Sequence, residues 1–251
     1  MSDIYDIDSN PWFTKDRSES TSFRVERSFG NIKVLNPGIG LNIYQSAITS
    51  DVCETSIKTL EDKLTNGSLY KWSEAQVTTS DKPVKSARDC VDFKFKPENL
   101  GQRNENNAEL LDMHKSIYDV LKKCIDDYCQ YWGINVIYYE AFNFVKYTSP
   151  GQHFRVHADH GPHYNCTVSA VIYLNDNYEG GEIAFPRLDK LVYKPKRGDV
   201  VIFPSNYIYE HSSEPMISGD KYSVVVMMDI NLLGHKENKW QILRHGLAQK
   251  I

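Results

Sequence analysis

From Ile134 onward the chain breaks into short apolar runs divided by turn clusters, and no other feature limits its fold as strongly. The runs fall at 134–147, 167–174, 182–185, 191–194, 199–204 and 222–230. Between them lie Ser149-Pro150-Gly151, Asn175-Asp176-Asn177, Gly180-Gly181, Lys196-Arg197-Gly198 and Ser218-Gly219-Asp220, residue types that reverse a backbone at little steric cost. Strands this short, at this spacing, predict a sandwich or barrel of the jelly-roll kind. Helical periodicity lies upstream. Leu110, His114, Ile117, Leu121, Cys124, Tyr128 and Trp132 recur at three- and four-residue spacing over 108–132, with Gly133 as the natural C-cap. A second helix is expected from a Ser50 or Asp51 cap to about Leu64, closed by Asn66-Gly67. Helices collected ahead of the strands indicate an α+β chain in which N-terminal helices buttress one sheet of a jelly-roll (cupin-like) core.

The remaining segments are less regular. Strand-like sequence runs from Ile32 through Gly38-Ile39-Gly40 to Tyr44, and again at 68–78 and 90–96. The polar stretch TTSDKPVKSARD between the last two is a mobile-loop candidate, a lid over 79–89. Residues 1–30 read as a polar arm and 31–251 as a single domain with its core at about 140–232. The net charge of −4 argues against a general nucleic-acid or anionic-membrane partner. The acidic start, MSDIYDIDSNPWF, is unlike a signal peptide, and no run of apolar residues is long enough to span a bilayer. The five cysteines are scattered with no CxxC, as expected of reduced thiols in a cytoplasmic protein.

Chemistry concentrates in QHFRVHADHGPHYN, which holds four of the eight histidines: His153, His157, His160 and His163. A polar loop accounts for any one of them. His157-Ala158-Asp159 is distinct, because on a strand positions i and i+2 share a face, so an imidazole and a carboxylate can converge on one ion. A further histidine from a distant strand would complete two His and one carboxylate, a ligand set that leaves three positions open on iron(II). His211, between the strands 199–204 and 222–230, is that candidate. Ten residues later Lys221 enters an apolar strand. A lysine there needs an anionic partner if it points inward, or reaches water if it points outward. His114 lies on the apolar stripe of the long helix and is expected to pack there.

HxD, a distant His and a Lys ten residues on together resemble the prolyl 4-hydroxylase branch of the 2-oxoglutarate/iron(II) oxygenases, in their compact bacterial and phage form. The connecting segments agree. Phe144-Val145-Lys146-Tyr147 with Pro150-Gly151-Gln152-His153-Phe154 resembles the family's approach to HxD. Ala170-Val171-Ile172-Tyr173-Leu174-Asn175 resembles its next core strand, and Glu179-Gly180-Gly181-Glu182 its Gly-Gly-Glu-Thr segment. Lys194-Pro195-Lys196-Arg197-Gly198-Asp199 resembles its Pro-basic-Gly-Asp turn. Ser86-Ala87-Arg88 is only loosely similar to its Arg-Thr-Ser segment. The resemblance implies a double-stranded β-helix with Fe(II) held by His157, Asp159 and His211. It implies 2-oxoglutarate chelating that metal, its far carboxylate on Lys221 and hydrogen bonds from Tyr147 and Tyr173, with ascorbate as a candidate further cofactor. The implied reaction uses O2 to hydroxylate a prolyl residue in a peptide or protein and releases succinate and CO2. Arg88 is the candidate to grip a substrate carbonyl. If the chain is virus-encoded, the host cytoplasm is the implied compartment.

Asp159 separates the chain from related halogenases, which carry a small residue there. Lys221 separates it from AlkB-like repair enzymes, which use an Arg pair. Two departures touch the substrate: Cys166 stands where peptide-hydroxylating members usually carry a basic residue, and Met227 near a usual Trp. The same chemistry on a small molecule or another residue therefore stays open, as does a non-catalytic metal-binding β-barrel module. Two His and a carboxylate also suit zinc, but Lys221 and Tyr147 make sense only with an oxoacid beside the metal.

Overall fold

The computed structural model describes residues 25–67, 69–77, 80, 82–161, 165–232 and 235. Residues 1–24 of the expected arm, 79 and 81 of the expected lid, His163 and residues 236–251 lie outside the described residues. In chain order the strands are β1 (Val25–Phe29), β2 (Ile32–Gly38), β3 (Leu41–Gln45), β4 (Ser73–Glu74), β5 (Arg88–Asp89), β6 (Val91–Phe95), β7 (Tyr138–Tyr139), β8 (Phe142–Tyr147) and β9 (His153–His157). Then come β10 (Val168–Tyr173), β11 (Glu179–Gly180), β12 (Ile183–Phe185), β13 (Leu191–Tyr193), β14 (Val200–Pro204), β15 (His211–Ser213), β16 (Met216–Ser218) and β17 (Lys221–Asp229). The α-helices are α1 (Ser50–Leu60) and α2 (Ala108–Trp132).

The strands form a large sheet in the order β1-β2-β3-β14-β10-β17-β8-β6-β4, with β7 also on β17. A smaller sheet runs β13-β12-β15-β9-β5, and β11 pairs with β16. The period-two alternation of the strands gives the large sheet two different faces. On β17, Tyr222, Val224, Val226 and Met228 join Phe144, Ala170, Ile172, Val200 and Ile202 under the helices, where Leu110, Ile117, Leu121 and Tyr128 of α2 pack on them. The opposite face, with Val171, Tyr173, Val201 and Phe203, meets Ile183 and Phe185 of the small sheet. Two antiparallel sheets closing on a shared interior, with helices backing the larger, make the expected α+β double-stranded β-helix.

Helix α2 occupies its expected span, and Gly133 ends it at φ 67°, a left-handed conformation open to glycine. His114 packs there, its ring 4.4 Å from that of Phe142 and 5.2 Å from that of Phe95. Helix α1 departs from expectation at both ends. Thr49 is the N-cap and makes no side-chain cap bond, and from Glu61 to Thr65 the helix widens into a π-turn. Glu61, on that turn, accepts hydrogen bonds from Lys146 Nζ at 2.8 Å and Tyr222 Oη at 3.0 Å, tying the helix end to the sheet.

Other expectations needed correction. The strand expected over 68–78 shrinks to the two-residue β4 at the sheet's edge, and the run 134–147 divides into β7 and β8. Residues 25–29, assigned to the polar arm, pair with β2 as β1. Among the described residues no helix is long and apolar enough to cross a membrane, and all five cysteines are free.

Candidate active site

His157 ends β9 and His211 begins β15, and the two are register partners across that ladder, their rings 4.4 Å apart. Asp159 comes to them by a route the strand argument missed. β9 stops at His157, so a bend, and not strand parity, brings the carboxylate back. Asp159 Oδ1 lies 3.4 Å from His157 Nε2, and Oδ2 lies 3.9 Å from His211 Nε2. The three ligand atoms all lie within 4.8 Å of one another, the one such grouping of His, Cys, Asp or Glu among the described residues. Metal bonds of roughly 2.1 Å put neighbouring ligands about 3 Å apart, close to these spacings.

The surroundings suit a cation. His157 Nδ1 lies 2.8 Å from the Arg155 carbonyl and His211 Nδ1 lies 3.1 Å from the Tyr209 carbonyl. A carbonyl only accepts, so each Nδ1 carries the proton and each Nε2 lone pair faces the site. Burial lowers the His211 pKa to about 4, helped by His157 and opposed by Asp159, so its imidazole is neutral and able to ligate. Burial disfavours charge on Asp159, but His211, His157 and the Ser169 hydroxyl outweigh it and hold the carboxyl far below the usual range. Ser169 Oγ donates to Asp159 Oδ2 at 2.5 Å and is 2.8 Å from Ser205 Oγ, which lies 2.9 Å from Cys166 Sγ. Ser169 and Ser205 escaped the sequence reading. The inward parity of β10, shared by Ser169, Val171 and Tyr173, was the available signal for the first.

The other histidines of the cluster turn away. His153 Nδ1 bonds to the Gly151 carbonyl at 2.8 Å and His160 Nδ1 to the Cys166 carbonyl at 3.0 Å. Phe154 stacks on His157 with centroids 3.6 Å apart, wedging the imidazole from the side.

The triad opens into a cavity whose lining also includes Lys221, Tyr147, Tyr173 and Arg88, so the expected metal ligands, cosubstrate contacts and substrate contact all line one cavity. Lys221 starts β17 opposite Tyr147 of β8 and points inward. It is 2% exposed, which excludes the alternative of a strand-end lysine reaching water. Its Nζ donates to the Gly181 carbonyl at 2.6 Å and to Ser213 Oγ at 2.8 Å. The Gly181 position favours glycine: at φ 65° a methyl group would lie 2.7 Å from Met216 Sδ and 3.1 Å from Lys221 Cδ, so both side chains would have to shift. Among the described residues no carboxylate lies within ion-pair distance of Lys221, and burial together with Lys194 pushes its pKa down to about 7. Tyr147 and Tyr173 are pushed up by burial and stay protonated hydrogen-bond donors. The cavity thus sets a metal-suited triad beside a buried cation that lacks an anion, the arrangement a metal-chelating dicarboxylate would satisfy.

Arg88 does not sit at the end of a free loop. It belongs to β5, which pairs with β9 so that Arg88 faces Phe154 in register, and its guanidinium lies 4.9 Å above that ring. The Ala87 carbonyl accepts from Arg155 N at 2.8 Å, so the expected lid is fastened to the small sheet at this end.

Residues 142–228 match the family model described as the 2OG-Fe(II) oxygenase superfamily. Among solved structures, a prolyl hydroxylase from Trichoplax adhaerens, in complex with a hypoxia inducible factor oxygen degradation domain peptide fragment, has TM-score 0.66 at 15% identity, over 80% of this chain and 88% of that one. The viral collagen prolyl hydroxylase of Paramecium Bursaria Chlorella virus-1, in its 2OG complex, has TM-score 0.54 at 18% identity, over 75% of this chain and 94% of that one. A Pseudomonas putida prolyl-4-hydroxylase has TM-score 0.50 at 18% identity, over 76% and 93%. No curated protein sequence matches the chain. The structural likenesses concern the fold, and the family match concerns the strands that carry the triad and Lys221. Residues 142–228 thus match the 2OG-Fe(II) oxygenase superfamily, on a fold like that of the prolyl hydroxylases.

Proposed function

We propose that the protein hydroxylates a prolyl residue in a peptide or protein, with His157, Asp159 and His211 holding Fe(II) and Lys221 holding the far carboxylate of 2-oxoglutarate. The observation that carries this reading is Lys221, a buried ammonium answered by a carbonyl and a hydroxyl but by no carboxylate, in the triad's own cavity. A point-charge partner for a carboxylate is the role that chemistry leaves for it. Bound iron and 2-oxoglutarate supply the O2-dependent oxidation that inserts oxygen into a C–H bond, with loss of succinate and CO2. The chain's own residues supply placement. The Nδ1–carbonyl bonds aim both imidazoles, Ser169 fixes one Asp159 oxygen, Tyr147 and Tyr173 donate to the cosubstrate, and Arg88 grips a substrate carbonyl. Ascorbate is assigned as an accessory reductant. Residues 31–251, with β1 added to them, are read as one oxygenase domain behind a polar arm.

The structural neighbours, a prolyl hydroxylase bound to a hypoxia inducible factor peptide and a viral collagen prolyl hydroxylase, favour an extended peptide here also. The test is a screen of proline-containing peptides with iron, 2-oxoglutarate and O2, read by mass spectrometry. Gain of one oxygen on proline, with equimolar succinate, is the expected result. Succinate stimulated only by small molecules would move the activity to that class. No succinate from any sample would leave a non-catalytic metal-binding barrel.

A further inference from the structure

The cavity holds two buried cations whose charges are answered differently. Lys221 meets only neutral groups, whereas Arg88 Nη2 lies 3.1 Å from Asp92 Oδ2 and Arg88 Nη1 donates to the Gln76 carbonyl at 3.2 Å. Arg88 and Asp92 are both buried, so this ion pair is neutral as a unit and has little to offer a second anion. The Nε–H of Arg88 remains buried and without a partner among the described residues. Asn143 is its complement. Asn143 Nδ2 donates to the same Asp92 oxygen at 3.3 Å, and because a carboxylate only accepts, this bond fixes which end of the amide is NH2. Its Oδ1 is then buried and also without a partner among the described residues. Buried polar atoms are costly to leave unmatched, and here a free donor and a free acceptor, both oriented by Asp92, belong to side chains that line one cavity.

Resting on the oxygenase reading for what enters the cavity, we propose that Arg88 and Asn143, positioned by Asp92, form a neutral subsite that reads the C=O and N–H of one substrate residue. In an extended chain those two groups of a residue point to the same side, as they do in a β-ladder. Arg88 Nε–H donates to the carbonyl and Asn143 Oδ1 accepts from the N–H. A free carboxylate fits worse, because it has no donor for Asn143 and meets a guanidinium already paired. Lys94, opposite Asn143 in register, lies within electrostatic reach of Asp92, Arg88 and Glu140, and desolvation lowers its pKa, which weakens the charge it adds beside the subsite. Proline has no N–H, so the residue read in this way flanks the hydroxylated proline.

The test is ligand-observed NMR on full-length, zinc-loaded protein with 2-oxoglutarate, using three probes. They are N-acetylalanine methylamide, its ester analogue with oxygen in place of the alanine N–H, and the acid N-acetylalanine. The wild type is expected to bind the methylamide about tenfold tighter than either alternative. Asn143→Leu should lose the preference over the ester, and Asp92→Asn, which unpairs Arg88, should turn the preference towards the acid. Asn143→Ala serves if the leucine variant does not fold. Equal binding of amide and ester by the wild type, no binding of the amide, or an unchanged preference in the Asn143 variants would overturn the subsite. Titration of 2-oxoglutarate into the same samples keeps the two readings apart. Normal 2-oxoglutarate binding without amide preference removes the subsite alone, whereas amide preference without 2-oxoglutarate binding removes the cosubstrate assignment alone.

Discussion

Lys221 and Tyr147 face each other across the β17–β8 ladder, the ammonium 5.0 Å from the centroid of the phenol ring. Tyr173 and Tyr178 complete an aromatic collar, at 5.5 Å and 5.9 Å. This collar and the Gly181 carbonyl surround the lysine nitrogen in a place where it lacks an anion. Lys221→Ala should raise the apparent KM for 2-oxoglutarate by roughly one to two orders of magnitude, since a charge-assisted contact is worth roughly 1.5–3 kcal/mol. Metal affinity should be unchanged. Tyr173→Phe should cost about 1 kcal/mol, the loss of one neutral donor. Equal 2-oxoglutarate affinity in wild type and Lys221→Ala would place the anchor elsewhere.

The same burial makes cosubstrate binding depend on pH. Lys221 titrates at about 7 because it is buried and near Lys194, with Cys90 and Glu182 acting in the opposite direction. A carboxylate is held only by the charged form. Affinity for 2-oxoglutarate should therefore be greatest below pH 7 and fall as the pH rises through that value, with proton uptake on binding just above it. The stability contribution has the matching sign. The folded pKa lies below the ordinary lysine value of 10.5, so the unfolded chain holds the proton more tightly, and this group favours folding increasingly as pH rises from about 7 to 10.5. Calorimetric titration between about pH 6 and 9, in buffers of different protonation enthalpy, checks the binding claim, and a pH-independent Kd would contradict it.

At the metal end, Asp159→Ala should abolish turnover and sharply weaken iron binding. His160→Ala should leave metal affinity nearly intact, because its ring is turned to the Cys166 carbonyl. The same is expected of His163→Ala, and loss of iron in that variant would overturn the ligand assignment. Ser169→Ala should weaken metal binding by about tenfold, the usual scale for a hydrogen bond behind a ligand, with recovery in Ser169→Thr. Metal titration followed by competition with a chelator reads all five.

Which residues meet in the cavity was more legible in the sequence than how they are aimed there. Metal and anion sites demand particular residue types, so His157, Asp159, His211 and Lys221 were visible as a spaced set even though the bend that aims Asp159 was not. α2 was legible because one face packs on a sheet over its whole length, which imposes a continuous period. β4 and β5 were not, because two-residue strands carry no period. Arg88 was visible as a charged residue beside a loop, but its burial against Asp92 and Phe154 depends on β5 pairing with β9 across 66 positions (Arg88 to Phe154), a relationship no local pattern encodes. Asn143 and Asp92 were missed for the same reason: their unmatched or shared atoms exist only once β6, β8 and β5 are assembled.

The central claim is that this cavity couples a metal held by His157, Asp159 and His211 to 2-oxoglutarate held by Lys221. The most direct measurement is succinate release and O2 consumption by the iron-loaded protein with 2-oxoglutarate, in wild type, Asp159→Ala and Lys221→Ala. The account predicts equimolar succinate and O2 consumption in the wild type and none in Asp159→Ala. In Lys221→Ala it predicts recovery only at 2-oxoglutarate concentrations raised by roughly one to two orders of magnitude. Wild-type protein that binds iron but consumes neither O2 nor 2-oxoglutarate, or an Asp159→Ala variant that turns over normally, would contradict it.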